Sequence, residues 1–148
     1  MDTDKGRAMA ELIPAFVTLL ILGFYFYTVL LVGRARGVHK VDAPATTGHP
    51  MFERTLRAQL NTAEWMPLIL PTLWLFAIYA DPVIAGALGV VWILGRMMYV
   101  SGYIAEASKR STGFLIQFVA WIALFLGAFG GLVWKAAGWA PLLTQPLL

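Results

Sequence analysis

The sequence has no cysteine and few charged side chains. Of its 148 residues, 13% are charged and 59% are hydrophobic, whereas soluble domains usually carry roughly 25% charged residues. The lack of cysteine excludes disulfides and thiolate metal ligands, so any sulfur chemistry must use a sulfur that a ligand supplies. The lack of charge argues against a soluble domain and indicates a membrane protein.

The excess of basic residues does not indicate a nucleic-acid partner. The formal net charge is +3, but a protein that binds polyanions concentrates Lys and Arg on one solvated face. Here the basic residues lie beside apolar segments, so we expect no nucleic acid. His39 and His49 fall in one loop without the spacing of metal ligands, and we expect no metal.

Four apolar segments are each about as long as the ~20 residues that a membrane-spanning helix requires. Because lipid cannot satisfy backbone hydrogen bonds, helices are favoured over any sheet. The sequence therefore predicts an all-α membrane protein, a four-transmembrane-helix bundle that forms a single domain over residues 1–148. Its spans are predicted at about 12–32, 58–80, 82–104 and 114–134. The glycines of "GAFGG" in the fourth segment favour close helix packing over a phosphate-binding loop, because no strand precedes them.

The loops between the segments differ in charge. The loops after the first and third segments hold a cluster of basic residues: Arg34, Arg36, Lys40, Lys109 and Arg110. The positive-inside rule places these loops in the cytoplasm and both termini on the opposite side. A bacterial inner membrane and the endoplasmic reticulum both remain open as the host membrane.

Two polar stripes run along the second and third segments. In "RAQLNTAEW", a helical turn of about 100° per residue places Arg57, Asn61 and Glu64 within about 60° of one another. In the third segment, spacings of three and four residues predict a second stripe, which contains Arg96, Tyr99, Tyr103, Glu106 and Arg110. Because the two helices are consecutive and antiparallel, the stripes can face each other at overlapping depths.

Ionisable side chains at membrane depth need internal partners or a polar cavity, since inserting one costs at least about 2.5 to 3.5 kcal/mol. One interpretation is a self-satisfied network in which Glu64 pairs with Arg57 or Arg96 and only fastens the helices. The other rests on the surplus of arginine over glutamate along the stripes. Unpaired guanidinium groups favour an anionic ligand, whose carboxylates they bind bidentately. A small zwitterion with excess carboxylate would fit.

The motifs "FERTLRAQLNTAEW" and "GRMMYVSGYIAEASKRSTG" resemble those of the MAPEG family, the membrane-associated proteins in eicosanoid and glutathione metabolism, and most closely its type 3 microsomal glutathione S-transferases. The resemblance covers all four segments, from about Leu12 to Trp134. It implies a homotrimer that binds the co-substrate glutathione at each subunit interface, open toward the cytoplasm. It also implies a glutathione transferase and peroxidase, which conjugates lipophilic electrophiles or reduces lipid hydroperoxides that arrive through the membrane lipid.

The same resemblance implies roles for individual residues. Arg110 matches a catalytic arginine beside the glutathione sulfur, where a fixed positive charge favours the nucleophilic thiolate. Two positions depart from the family pattern. Trp65 stands where some relatives have tyrosine, and Gly37 stands where leukotriene-conjugating relatives have an arginine, which argues against leukotriene synthesis. The implied glutathione-binding residues are Arg36, Arg57, Gln59, Asn61, Glu64, Arg96, Tyr99 and Tyr103.

Two functions of other classes remain open. A non-catalytic lipid-binding scaffold on the same fold would need only a lipid groove. A small structural or transport subunit would need the two polar stripes only to join its helices. The presence of the whole anion-binding set together with Arg110 favours the enzyme.

Overall fold

A computed structural model of the chain describes residues 2–143, and the regular structure in this range is helical. The helices are α1 (Asp2–His39), α2 (Pro50–Tyr79), α3 (Pro82–Ala105) and α4 (Ser111–Leu143). A short 3₁₀ turn, Ala107–Arg110, joins α3 to α4. The predicted all-α bundle of four helices is confirmed.

Three stretches within the described range are long and apolar enough to cross a membrane: Met9–His39, Pro82–Ala105 and Ala107–Gly138. The chain is therefore an integral membrane protein. α2 covers most of the predicted segment 58–80 as a helix, but it is not one of these three stretches. Its first half carries the charged motif, so its crossing of the bilayer stays a prediction.

Side-chain caps and prolines mark the starts of α2 and α3. The His49 imidazole accepts a hydrogen bond from the backbone N–H of Met51 at 3.2 Å. The Asp81 carboxylate accepts one from the backbone N–H of Ile84 at 2.8 Å. In both helices a proline follows the cap, at a position where its missing N–H costs nothing.

The core lies where all four helices meet. Its fully buried apolar side chains include Ile21 of α1, Ile69 and Leu73 of α2, Trp92 of α3 and Leu124 of α4. Many large apolar side chains of α1, α3 and α4 point outward and stay exposed. Such a surface is typical of helices that face lipid rather than water.

The glycines of "GAFGG" bring α4 close to the end of α2. A Cβ at Gly127 would overlap the ring of Phe76, and a Cβ at Gly131 would overlap the carbonyl oxygen of Tyr79. At Gly130 a Cβ would meet nothing within 4 Å. The packing interpretation of this motif is therefore confirmed for its first and last glycines.

Substituting Gly113 with alanine is expected to destabilise the protein by about 3 kcal/mol, the upper end of the usual range for overpacking. A Cβ there would overlap the backbone nitrogen of Tyr99 and lie 2.7 Å from the carbonyl oxygen of Gly95. Both obstacles are backbone atoms, so α3 and α4 would have to separate. Thermal unfolding of the detergent-solubilised protein measures the effect. Gly130→Ala is the matched control, and equal losses in both variants would contradict this explanation.

Candidate active site

A groove beside α2, α3 and α4 brings three of the predicted site residues together. Its volume is about 480 Å³, and Asn61, Tyr99 and Arg110 line it. Phe114 and Leu115 of α4 add an apolar wall. The groove therefore offers polar groups and a cation directly beside an apolar surface.

Arg96 is fully buried next to this groove, and its hydrogen-bond partners are neutral. Its guanidinium donates to the Thr62 hydroxyl at 2.9 and 3.1 Å and to the side-chain oxygen of Asn61 at 3.0 Å. A further hydrogen bond, of 3.1 Å, goes to the side-chain oxygen of Gln117. A buried charge is costly unless it is compensated, and no carboxylate among the described side chains lies within ion-pair distance of Arg96.

Asn61 lies between two side chains of opposite charge, Arg96 and Glu64. Its amide oxygen accepts from Arg96, and its amide nitrogen donates to the exposed Glu64 carboxylate at 2.9 Å. The pairing of Glu64 with Arg57 or Arg96, on which the self-satisfied network depended, is therefore not formed. Most of the Glu64 carboxylate stays available to another partner.

One ion pair is present among the described side chains, between Lys109 and Glu106 at 3.2 Å. A hydrogen bond from the Ser108 hydroxyl, and then the Lys109 ammonium, hold the pKa of the Glu106 carboxyl below its ordinary value. Glu106 makes no ion pair with Arg110. The guanidinium of Arg110 instead lies 5.1 Å from the centroid of the Tyr103 ring.

The stripe predicted on the third helix is formed on α3 by Arg96, Tyr99 and Tyr103. However, α3 ends at Ala105 and the backbone of Glu106 is extended, so Arg110 reaches the stripe from the 3₁₀ turn. The rings of Tyr99 and Tyr103 stack with centroids 5.8 Å apart. The Arg96 guanidinium lies 4.3 Å from the Tyr99 centroid, and Arg110 lies over the other ring of the pair. Cations within about 6 Å of a ring face are attracted to it. The two tyrosines therefore connect the buried cation to the exposed one.

The other six predicted residues do not line this groove. Glu64, Arg96 and Tyr103 each contact a residue that does, whereas the remaining three lie apart from it within the chain. Arg36 donates to the carbonyl of Ala45 at 2.9 Å and so fixes the loop between α1 and α2. The side-chain amide of Gln59 donates to the Tyr25 hydroxyl on α1 at 3.4 Å. Arg57 is exposed and has no hydrogen bond or ion pair with a described side chain.

Thr62 and Gln117 are functional candidates that the sequence analysis missed. Both are fully buried, and both accept hydrogen bonds from Arg96. The side-chain nitrogen of Gln117 has no partner among the described residues. The available signal was a lone glutamine within the apolar fourth segment.

His39 and His49 lie against each other. Their rings stack with centroids 3.8 Å apart. Within the described part of the chain, no group of three or more His, Asp or Glu side chains could hold a metal ion.

Comparison with known proteins gives one family and several relatives. The sequence-family model described as "MAPEG family" matches residues 14–130 of this chain. An uncharacterized protein of Synechocystis sp. is 48% identical over 122 residues, which are 82% of this chain and 89% of that protein. Microsomal glutathione S-transferase 2 of Homo sapiens is 42% identical over 121 residues, 81% of this chain and 82% of that protein. Leukotriene C4 synthase of Cavia porcellus is 40% identical over 117 residues, 78% of each chain.

Proposed function

This chain belongs to the MAPEG family, and from that membership we propose that it is a membrane-bound glutathione transferase with peroxidase activity. The resemblance read from the motifs is confirmed. Two of the relatives with over 40% identity, from Homo sapiens and Bos taurus, carry the type 2 name rather than the type 3 name. Those relatives are named as glutathione transferases, and their activity is the basis of the proposal for this chain.

The observation that carries the proposal is a pair of cations at the groove that have no direct carboxylate partner among the described side chains. Arg96 is fully buried among neutral partners, and Arg110 borders the groove without a described carboxylate partner. Glutathione supplies carboxylates to such cations, an ammonium group for Glu64 and amides for Asn61. It belongs to the class of zwitterions with excess carboxylate that the polar stripes favour, and the family membership supplies its identity.

The proposed chemistry uses Arg110 to ionise the glutathione thiol. Its charge favours the thiolate, and the released proton passes to solvent. In the transferase reaction the thiolate sulfur forms a bond to an electrophilic carbon, whose leaving group departs with its electron pair. In the peroxidase reaction the sulfur attacks a lipid hydroperoxide, which gives an alcohol and a sulfenic acid. A second glutathione then converts the sulfenic acid to the disulfide and water.

The proposed assembly is a homotrimer in which neighbouring chains complete each site. Gln59 faces α1, and Arg36 holds the loop after α1, so neither reaches the groove of its own chain. Both would reach the groove of a neighbour in the arrangement that the family resemblance implies. The proposal places the groove toward the cytoplasm and the termini on the opposite side, with residues 1–148 as one domain.

Detergent-solubilised protein assayed with glutathione and 1-chloro-2,4-dinitrobenzene, and with a lipid hydroperoxide, tests the proposed function. Saturable glutathione binding with turnover of either acceptor would support it. Absence of both binding and turnover would favour a non-catalytic lipid-binding scaffold on the same fold.

Replacing Glu64 with glutamine is expected to weaken glutathione binding about tenfold, because a charge-assisted contact with the ammonium is lost. Calorimetric titration measures the change. A glutathione analogue without the amino group should bind the wild type and the variant equally. Glu53→Gln is the matched control, because Glu53 lies on the same helix and accepts instead from the backbone N–H of Gly48. Normal glutathione binding by Glu64→Gln would refute the amine contact.

A further inference from the structure

A second groove lies between α1 and α3, and none of its lining residues lines the candidate active site. Its larger part, of about 580 Å³, is lined mostly by apolar side chains such as Met98. Its smaller part, of about 240 Å³, is lined by Arg34 and His39 among others. Leu31 and Ile104 line both parts, so the apolar part and the basic part adjoin each other along α1 and α3.

The groove follows the direction from hydrocarbon to membrane surface. Its apolar part begins near Phe24, inside a stretch able to cross a membrane. Its basic part lies at the end of α1, the end that the positive-inside rule places at the cytoplasmic surface. From Phe24 to Arg34 the rise along α1 is about 15 Å, which equals about half of a ~30 Å hydrocarbon core.

The basic part of the groove contains Arg34, a cation without a partner among the described side chains. Arg34 is exposed, makes no hydrogen bond or ion pair with a described side chain, and lies two residues from Arg36. Two residues correspond to about 200° around a helix, so Arg34 faces away from Arg36. No acidic side chain of the described range lines the groove. A guanidinium in this setting can bind a phosphate group through two hydrogen bonds.

We propose that this groove binds one anionic glycerophospholipid. An acyl chain lies along the apolar part, and the phosphate contacts Arg34 at the membrane surface. Arg54 supports this end of the groove, because its Nε donates to the carbonyl of Ile104 at 2.9 Å and holds the end of α3 in place. The length of the groove and its charge at one end together favour a lipid over a free anion.

Native mass spectrometry of the purified protein tests the proposal with phosphatidylglycerol and phosphatidylcholine of identical chains. The wild type is expected to retain phosphatidylglycerol at least about fivefold better, the gain of one basic residue at an anionic surface. Arg34→Gln should abolish this preference and leave glutathione turnover unchanged. Lys109→Gln is the matched control, since it removes the same charge from an exposed position on the same side, and it should keep the preference.

A second variant tests the apolar part independently of charge. Ser101 lines it and is exposed, so Ser101→Trp should fill the groove and reduce the retention of both lipids. Equal retention of the two lipids by the wild type would overturn the proposal. So would an equal loss of preference in Lys109→Gln, unchanged retention in Ser101→Trp, or displacement of phosphatidylglycerol by inorganic phosphate, which would indicate a site for free anions.

Discussion

Replacing Arg110 with alanine is expected to lower turnover of 1-chloro-2,4-dinitrobenzene on the order of 100-fold, the usual effect of losing one electrostatic stabiliser. Its guanidinium borders the groove, and no described carboxylate neutralises it. Without this charge the pKa of the bound glutathione thiol should rise toward the ~8.5 of a free thiol. Less thiolate then forms at neutral pH. Turnover measured across a pH series, with the ultraviolet absorbance of the thiolate, records the shift.

Lys109→Ala is the matched control for this experiment. Lys109 precedes Arg110 in the same 3₁₀ turn and carries the same charge, but it pairs with Glu106. Its removal should change turnover by no more than about twofold, as for an exposed ion pair. Unchanged turnover in Arg110→Ala would remove that residue from catalysis. Equal losses in both variants would assign the effect to general surface charge.

The fold was largely predictable because lipid imposes one strong rule on the backbone. Apolar segments of spanning length must form helices, and the four segments found in the sequence correspond to the four helices. The helix ends were less predictable. α2 begins at Pro50 rather than near residue 58, because a helix continues through polar residues that hydropathy alone does not detect.

The candidate site was predictable where it follows helical periodicity. Spacings of three and four residues placed Arg96, Tyr99 and Tyr103 on one face of α3, and the structure connects them through ring and cation contacts. Arg110 lies beyond the end of α3, and the 3₁₀ turn brings it to the Tyr103 ring, which periodicity does not predict. Thr62 and Gln117 had no such signal, because each is a single polar residue whose partner lies on another helix. Their role depends on how the helices pack, which periodicity within one helix does not determine.

The two interpretations of the polar stripes differ in what compensates the arginines. The self-satisfied network required direct pairs between arginine and glutamate, and the structure places the neutral Asn61 between Arg96 and Glu64 instead. Neutral oxygen atoms satisfy the hydrogen bonds of Arg96 without cancelling its charge. The same residue can therefore fasten the helices and attract an anion, and mutation must separate the two roles.

Replacing Arg96 with leucine is expected to weaken glutathione binding on the order of 100-fold, because its buried charge attracts an anion in the adjoining groove through the low-dielectric interior without touching it. The change also leaves the side-chain oxygens of Thr62 and Gln117 without their donor. Each buried oxygen left unsatisfied costs about 1 to 3 kcal/mol, so stability should fall as well. Calorimetric titration with glutathione and thermal unfolding in detergent measure the two effects separately.

The double variant Arg96→Leu with Gln117→Leu separates two roles of Arg96, joining the helices and attracting an anion. It removes the orphaned oxygen of Gln117 and places two apolar side chains where two polar ones met, which is often close to neutral for stability. Thermal stability should therefore recover in part, whereas glutathione binding should stay weak because the cation is still missing. If binding recovered together with stability, Arg96 would only join the helices. A folded Arg96→Leu protein that bound glutathione normally would show that the uncompensated charge does not attract the ligand.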